Sequence, residues 1–209
     1  MKFIEKLENR LLGSKFRLLN DKLYKNRKIN DNDMKDYYKY YEYQIRKWPV
    51  NPLDLIIKKI EDKNKEAVIA DLGCGVGKIS QTFKNVFSFD AFPINKNIIK
   101  ADISALPLDD KKIDVVVCCL SLMMDYISKV LLEVSRILKI DGIFYLAEVK
   151  SRVNSVNYFC KQLEQFGFSI LNCDTSNTHF VIIELKKDKD FCKKKIPKVL
   201  LKPCSYKKR

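Results

Sequence analysis

Residues 68–78 read VIADLGCGVGK, an apolar run that ends in three glycines at alternate positions. The run predicts a buried strand, and a helical pattern follows at 78–83. Glycine is needed where the backbone turns sharply and a ligand must approach it without a Cβ in the way. Spacing of the form G-x-G-x-G, with Asp71 before Gly73 and Gly75, differs from the dinucleotide pattern G-x-G-x-x-G and favours S-adenosylmethionine over NAD.

A glycine cluster alone marks only a turn, so the assignment depends on the strand ends that follow. A second strand ends at Asp90, 17 residues after Gly73. Such folds hold the ribose hydroxyls with a carboxylate roughly 20 residues after the glycine turn. The third strand ends before Asp102, whose carboxylate can accept a hydrogen bond from an adenine amine. The next residue, Ile103, can pack on the adenine ring. Cys119 ends the fourth, although at least one of the two adjacent cysteines is expected to be a core residue. Because parallel strands end at one edge, these residues together predict a ligand site.

Short apolar runs alternate with longer amphipathic ones, which indicates a parallel sheet flanked by helices. The pattern predicts an α/β, Rossmann-like fold of the class I S-adenosylmethionine-dependent methyltransferase type, with a mainly parallel seven-stranded sheet and an N-terminal helical extension. Only a short segment separates Asp90 from the third strand, so that connection is predicted to be a loop or a single turn. The candidate strands are 67–72, 86–90, 98–101, 115–119, 142–148, 168–172 and 178–186, and the candidate helices of this core are 78–83, 127–138 and 153–166.

Three regions follow from the change in composition along the chain. Residues 1–60 predict helices joined by a Pro-bounded link at 48–52, and residues 61–186 predict the Rossmann-like core. Residues 187–209 are a basic segment that we expect either to pack on the core or to bind RNA. The chain carries a formal charge of +14, of which residues 186–209 contribute +9. Such concentrated charge favours a polyanionic partner.

Other classes of protein receive little support. No apolar run approaches the roughly 18 residues that a membrane span needs, and no signal core is visible at the N-terminus, so we expect a soluble intracellular protein that does not bind membranes. The seven cysteines include no C-x-x-C pair and there is one histidine, His179, so neither a disulfide framework nor a metal site is predicted.

With these residues in view, the chain resembles the nucleolar ribosomal RNA-processing methyltransferases, the nucleomethylin-like family. The resemblance covers nearly the whole sequence. It is carried by the segments RLLGSKFR (10–17), LNDKLY (19–24), WPVNP (48–52), the glycine turn, CLSLM (119–123), AEV (147–149) with Ser151 and Arg152, NTHF (177–180) and LKPCSYKKR (201–209).

The resemblance implies S-adenosylmethionine as cofactor, large-subunit ribosomal RNA as substrate, N1 of an adenine as methyl acceptor, and a nuclear, nucleolar location. The family's cofactor contacts fall on Gly73, Asp90, Asp102, Ile103 and Cys119. For contacts with the substrate, the resemblance points to Arg152, Asn177 and His179.

Two segments depart from the family pattern. Where the family has Tyr-His-x-Gly-Phe, residues 37–41 read YYKYY, which places Tyr38 at a cofactor contact. Where the family has Met-Gly-Thr-Asn, residues 123–126 read MMDY, so the acceptor pocket is expected to be reshaped.

Methyl transfer from a sulfonium is an in-line displacement that depends on alignment, so no nucleophilic dyad or triad is required. Glu148 and Asp125 are the candidate carboxylates for stabilising the cationic product, and each could equally be structural. An extruded adenine would stack on aromatic walls, for which Tyr126 and Phe180 are candidates. Two alternatives stay open: a methyltransferase for a small molecule or a protein, and a cofactor-binding ribosome-assembly factor without catalysis. Protein partners and the catalytic residue are not predicted.

Overall fold

The computed structural model describes residues 2–25, 29–192 and 194–204, with side chains described from Leu11 onward. Its seven strands lie in one sheet: β1 (Ile69–Leu72), β2 (Val86–Asp90), β3 (Ile99–Lys100), β4 (Ile113–Cys119), β5 (Leu138–Val149), β6 (Phe168–Asp174) and β7 (Phe180–Lys187). The helices are α1 (Lys2–Tyr24), α2 (Asp31–Ile45), α3 (Pro52–Lys63), α4 (Lys78–Thr82), α5 (Ile127–Ile137) and α6 (Val156–Glu164), with a 3-10 turn at Lys150–Arg152.

The sheet has the order β3-β2-β1-β4-β5-β7-β6. Neighbours from β3 to β5 pair in parallel, whereas β7 runs antiparallel to both β5 and β6. The predicted mainly parallel, seven-stranded sheet is therefore confirmed. No helix lies between β2 and β3, which confirms the shortened connection.

Successive residues of the central strands face opposite sides of the sheet, as strand geometry requires. Val116 and Cys118 belong to the core formed with α5 and α6. Val115 and Val117 belong to the second core, formed with α3 and α4. Helices on both faces bury the sheet, so the edge at the carboxyl ends of the parallel strands is left for a ligand.

The described chain divides into two compact units, one from residue 52 to 202 and one holding the residues up to Asn51 together with those from Pro203. The boundary predicted at residue 60 falls inside α3, which packs Ile56, Ile57 and Ile60 on the sheet. Proline is favourable at the first position of that helix because the amide it lacks would have no partner there.

In the smaller unit, aromatic rings join α1 to α2. The rings of Phe16 and Tyr37 stack with centroids 5.6 Å apart, and Tyr37 and Tyr41 stack at 5.9 Å. Asn20 donates to the carbonyl oxygen of Cys204 at 3.2 Å. Burial of these rings explains why a Tyr-rich helix with little aliphatic content folds against its neighbour.

Residues 194–202 pack on the α5–α6 side of the larger unit. Val199 is almost fully buried in that core, and Gln162 on α6 donates to the carbonyl oxygen of Lys198 at 3.0 Å. This part of the predicted basic segment is therefore a fixed element of the fold. None of the helices in the described part of the chain combines the length and the hydropathy of a membrane-spanning segment.

Candidate cofactor and active site

The glycine turn after β1 is held against the ends of β2 and β4. The amides of Gly73 and Cys74 donate to the carbonyl oxygen of Phe89 at 2.8 and 3.0 Å. Gly73 has φ +73°, and a Cβ added to it would lie 2.4 Å from the Cβ of Ser121. Only glycine satisfies both the left-handed backbone and this close approach.

Asp90, at the end of β2, closes the turn from the other side. One of its carboxylate oxygens accepts from the amide of Gly75 at 2.9 Å, and the other accepts from the amide of Phe92 at 2.9 Å. Two amide donors fix the carboxylate at the edge where the sequence places a ribose contact. A carboxylate oxygen can accept more than one hydrogen bond, which a contact with ribose hydroxyls requires.

Asp71 lies inside the turn and is almost fully buried, at 3% exposure. Its Oδ2 atom has no hydrogen-bond partner among the described residues. Burial, with added repulsion from Asp90, raises the pKa of Asp71 to about 7. A buried carboxyl group in this state favours a cationic ligand nearby, because positive charge would relieve the cost of ionising it.

Asp102 follows β3 and is exposed. Its Oδ1 accepts from the amide of Ser104 at 2.8 Å, and its Oδ2 accepts from the hydroxyl of Tyr126 at 3.3 Å. Burial and the neighbouring Asp102 raise the pKa of Tyr126. Ile103 differs, because its side chain is buried in the core beside α5. Its predicted contact with a cofactor ring stays a prediction.

The loop after β4, residues 119–126, reaches over the glycine turn. Cys119 is half-buried at the strand end, whereas Cys118 is fully enclosed in the core. Leu120 adopts a positive φ of 58° and donates its amide to the carbonyl oxygen of Ala147 at 2.9 Å. A left-handed leucine costs about 1–3 kcal/mol, and such strain concentrates at functional sites.

Glu148 and Arg152 form a buried ion pair beside this loop, with 0% and 2% of their side chains exposed. The Arg152 Nη1 atom donates to Glu148 Oε2 at 2.6 Å, Nη2 donates to the Leu122 carbonyl oxygen at 2.6 Å, and Nε donates to the Lys202 carbonyl oxygen at 2.8 Å. Burial raises the pKa of Glu148, and Arg152 opposes that rise. The guanidinium therefore holds the loop from within, and a direct substrate contact by Arg152 stays a prediction.

Asn177 and His179 lie in the loop before β7, at the same edge of the sheet, since Phe180 pairs with Val149 at the end of β5. Asn177 Oδ1 accepts from the amides of His179 and Phe180 at 2.9 and 2.6 Å, which fixes the turn. The ring of His179 is exposed, with its Nδ1 atom 2.8 Å from the hydroxyl of Thr178. The side chain of His179 is therefore accessible to solvent.

Three other predicted residues occupy different surroundings. Asp125 is exposed on the loop after β4. Phe180 is 2% exposed and packed in the core, so it offers no free face to a base, whereas Tyr126 is 37% exposed. Tyr38 is buried in the smaller unit, 5.8 Å from Tyr37 between ring centroids, and its cofactor contact stays a prediction.

The sequence did not predict the left-handed conformation of Leu120 or the contact of Ser121 with the glycine turn. No composition signal marks a leucine that takes a left-handed conformation, because that conformation depends on the strand pairing around it. The contact of Ser121 with the glycine turn joins two segments far apart in the chain. Among the described residues, no group of three or more His, Cys, Asp and Glu side chains could hold a metal ion.

The raised pKa of Asp71 predicts a pH-dependent stability difference. The folded chain binds this proton more tightly than the unfolded chain, so the group stabilises the fold in acid and that contribution is lost as pH rises from about 4 through about 7. Asp71→Asn should therefore gain up to about 4 kcal/mol of unfolding free energy, relative to the unsubstituted chain, between pH 4 and pH 8. Urea unfolding across this range measures it. The exposed Asp62→Asn variant is the control, and equal pH profiles for all three proteins would contradict the assignment.

Removal of the Arg152 guanidinium should be severely destabilising, because it leaves Glu148 buried without its partner. We expect Arg152→Met to lose about 3–5 kcal/mol of unfolding free energy in urea. Adding Glu148→Gln should restore part of the loss, while Lys161→Met on the exposed face of α6 should change little. If the single and double variants were equally unstable, the charge pair would not be the cause.

Comparison with solved structures shows the fold. A TehB-like SAM-dependent methyltransferase from Corynebacterium glutamicum matches with a TM-score of 0.62 at 18% identity, covering 76% of this chain and all of that one. The 1,6-didemethyltoxoflavin-N1-methyltransferase of Burkholderia thailandensis, solved with S-adenosylhomocysteine, matches with a TM-score of 0.58 at 13% identity, covering 75% and 87%. The predicted class I methyltransferase fold is therefore confirmed.

Curated relatives match the chain along nearly its whole length. Ribosomal RNA-processing protein 8 of Drosophila melanogaster is 39% identical over 98% of this chain and 60% of its own. The mouse protein of that name is 33% identical over 98% of this chain and 47% of its own. The 25S rRNA (adenine(645)-N(1))-methyltransferase of Schizosaccharomyces pombe is 34% identical over 98% and 72%.

The chain spans 60% of the length of the Drosophila melanogaster protein and 47% of the length of the mouse protein. A family model described as a hypothetical methyltransferase matches residues 2–209. The family resemblance predicted from the sequence is thereby confirmed, and the chain belongs to this methyltransferase family, together with the ribosomal RNA-processing protein 8 relatives.

Proposed function

We propose that the protein is an S-adenosylmethionine-dependent methyltransferase that modifies large-subunit ribosomal RNA at N1 of an adenine, during ribosome biogenesis in the nucleolus. The observation that carries the cofactor half is the glycine turn closed by Asp90, with the buried Asp71 behind it. The substrate half is supported by the relatives, which are named for ribosomal RNA processing and for adenine-N1 methylation.

The residues at the edge of the sheet fit a nucleoside that carries positive charge. In this proposal the backbone of Gly73 and Gly75 lies against the cofactor, Asp90 accepts from the ribose hydroxyls, and Asp102 accepts from the adenine amine. The unpartnered Asp71 Oδ2 supplies negative charge behind the turn. When bound, S-adenosylmethionine would supply a methyl group from its sulfonium, and the neutral thioether of S-adenosylhomocysteine would leave with the electrons of the broken carbon–sulfur bond. Cys119 and Tyr38 are further proposed contacts.

The protein's task in such a transfer is alignment and exclusion of water. The lone pair of adenine N1 is free, so no side chain has to remove a proton before attack. N1 lies on the base-pairing edge, so the base must be unpaired or extruded to react. The half-exposed Tyr126 beside Asp102 is positioned to contact an entering ring. Asn177 and His179 border the same edge and are proposed to contact the RNA.

Methylation at N1 leaves the adenine ring cationic, which a carboxylate would stabilise. Glu148 is enclosed and already bound to Arg152, whereas Asp125 is exposed on the loop after β4. This difference favours Asp125 as the carboxylate that faces the acceptor. Glu148 then acts by holding Arg152, and through it the loop.

The direct test is transfer of a labelled methyl group from S-adenosylmethionine to large-subunit ribosomal RNA that lacks the modification, followed by nucleoside mass spectrometry. We expect 1-methyladenosine with the unsubstituted protein. We expect transfer to fall at least tenfold with Asp102→Ala, because loss of one charged hydrogen-bond partner costs roughly 1.5–3 kcal/mol.

Each of the other outcomes would indicate a different function for this protein. Cofactor binding without transfer to any RNA would contradict the proposal and support an assembly factor without catalysis. Transfer to a small molecule or a protein, and not to RNA, would contradict the substrate half alone.

A further inference from the structure

Residues 194–202, called the basic strap from here on, run along the α5–α6 side of the sheet and reach the carboxyl ends of β4 and β5. The amide of Val199 donates to the hydroxyl of Ser128 at 2.9 Å, in the first turn of the helix that follows β4. The amide of Lys202 donates to the carbonyl oxygen of Arg152 at 2.9 Å, just beyond the end of β5. Because these two anchors follow strand ends, the part of the strap from Val199 to Lys202 lies at the edge that carries the proposed active site. A third anchor, from Gln162 on α6 to the carbonyl oxygen of Lys198, holds the preceding part.

One side chain joins the strap to the loop after β4. The Arg152 guanidinium donates to the Lys202 carbonyl oxygen at 2.8 Å and to the Leu122 carbonyl oxygen at 2.6 Å. At Lys202 and Leu122, the strap and the loop are therefore separated only by the width of the Arg152 guanidinium group. A macromolecule whose base reached this loop would therefore lie close to Lys202.

The charge of the strap has one sign. Its lysines at 194, 195, 198 and 202 are all exposed, and it contains no acidic residue. Lys129, next to the anchoring Ser128, is exposed as well. By contrast, Lys187, before the strap, is buried and paired with Asp190. Exposed lysines on a backbone fixed by hydrogen bonds can contact phosphates without first ordering a flexible segment.

We propose that the basic strap is the surface that binds the phosphate backbone of the RNA beside the active site. The inference rests on the proposed function and adds to it the place where the RNA lies. Neutralising phosphates releases condensed counterions, so this contact makes affinity depend on salt and leaves sequence choice to the pocket.

The structure allows the lysine side chains to be changed without releasing the strap. In the hydrogen bonds described above, the strap contributes only backbone atoms. These are the carbonyl oxygen of Lys198, the amide of Val199, and the amide and carbonyl oxygen of Lys202. The test variant is Lys198→Glu/Lys202→Glu. The matched control, Lys65→Glu/Lys84→Glu, makes the same change in net charge at exposed positions before β1 and β2, at the opposite edge of the sheet.

The experiment measures filter binding of large-subunit ribosomal RNA across a range of KCl concentrations, with calorimetry of S-adenosylhomocysteine binding on the same proteins. The strap variant should bind RNA roughly tenfold or more weakly, with a slope of log affinity against log salt that is smaller by about two. Its S-adenosylhomocysteine affinity should be unchanged. In methyl transfer, its KM for RNA should rise while kcat is kept.

Equal losses in the strap and control variants would overturn the proposal, because net charge and not position would then decide affinity. Unchanged RNA binding by the strap variant would also overturn it, while methyl transfer by the unsubstituted protein would leave the proposed function intact. If the unsubstituted protein neither bound nor methylated the RNA, the proposed function itself would fail, and the strap proposal with it.

Discussion

The close approach between the turn after β1 and the loop after β4 is the constraint on which the site depends. A Cβ at Gly73 would lie 2.4 Å from that of Ser121, so the two segments meet only because glycine is there. Asp90 then binds the amide of Gly75, which ties the end of β2 to the same turn. Three strand ends are brought together by one residue without a side chain and one carboxylate.

This arrangement concentrates negative charge, and the fold bears a cost for it. Asp71 is buried beside Asp90, and its raised pKa shows that ionisation there is unfavourable. A protein selected for stability alone would place an apolar residue at such a position. The buried carboxyl group fits the proposed site for a cationic ligand, since positive charge bound nearby would offset the cost of ionising it.

Most of the fold and the edge of the site could be predicted from the sequence, because strand periodicity and the glycine spacing are local signals. What could not be predicted depends on tertiary contacts. β5 begins at Leu138 and not at residue 142, since α5 runs directly into the strand and Asp141 takes a positive φ of 63° within it. The resemblance assigns Arg152 to the substrate side, and the structure adds partners that the sequence could not show: Glu148 and the carbonyl oxygens of Leu122 and Lys202. The last contact is one of those that hold the basic strap.

In the proposed site, the glycine turn and the carboxylate of Asp90 hold the nucleoside of S-adenosylmethionine. Calorimetric titration with S-adenosylhomocysteine tests it without requiring catalysis. The unsubstituted protein should bind, and Asp90→Asn, which keeps the shape of the side chain, should bind at least tenfold more weakly, since hydrogen bonds to a charged group contribute roughly 1.5–3 kcal/mol. The exposed Asp62→Asn variant should bind as the unsubstituted protein does. Equal affinity for all three proteins would contradict the account.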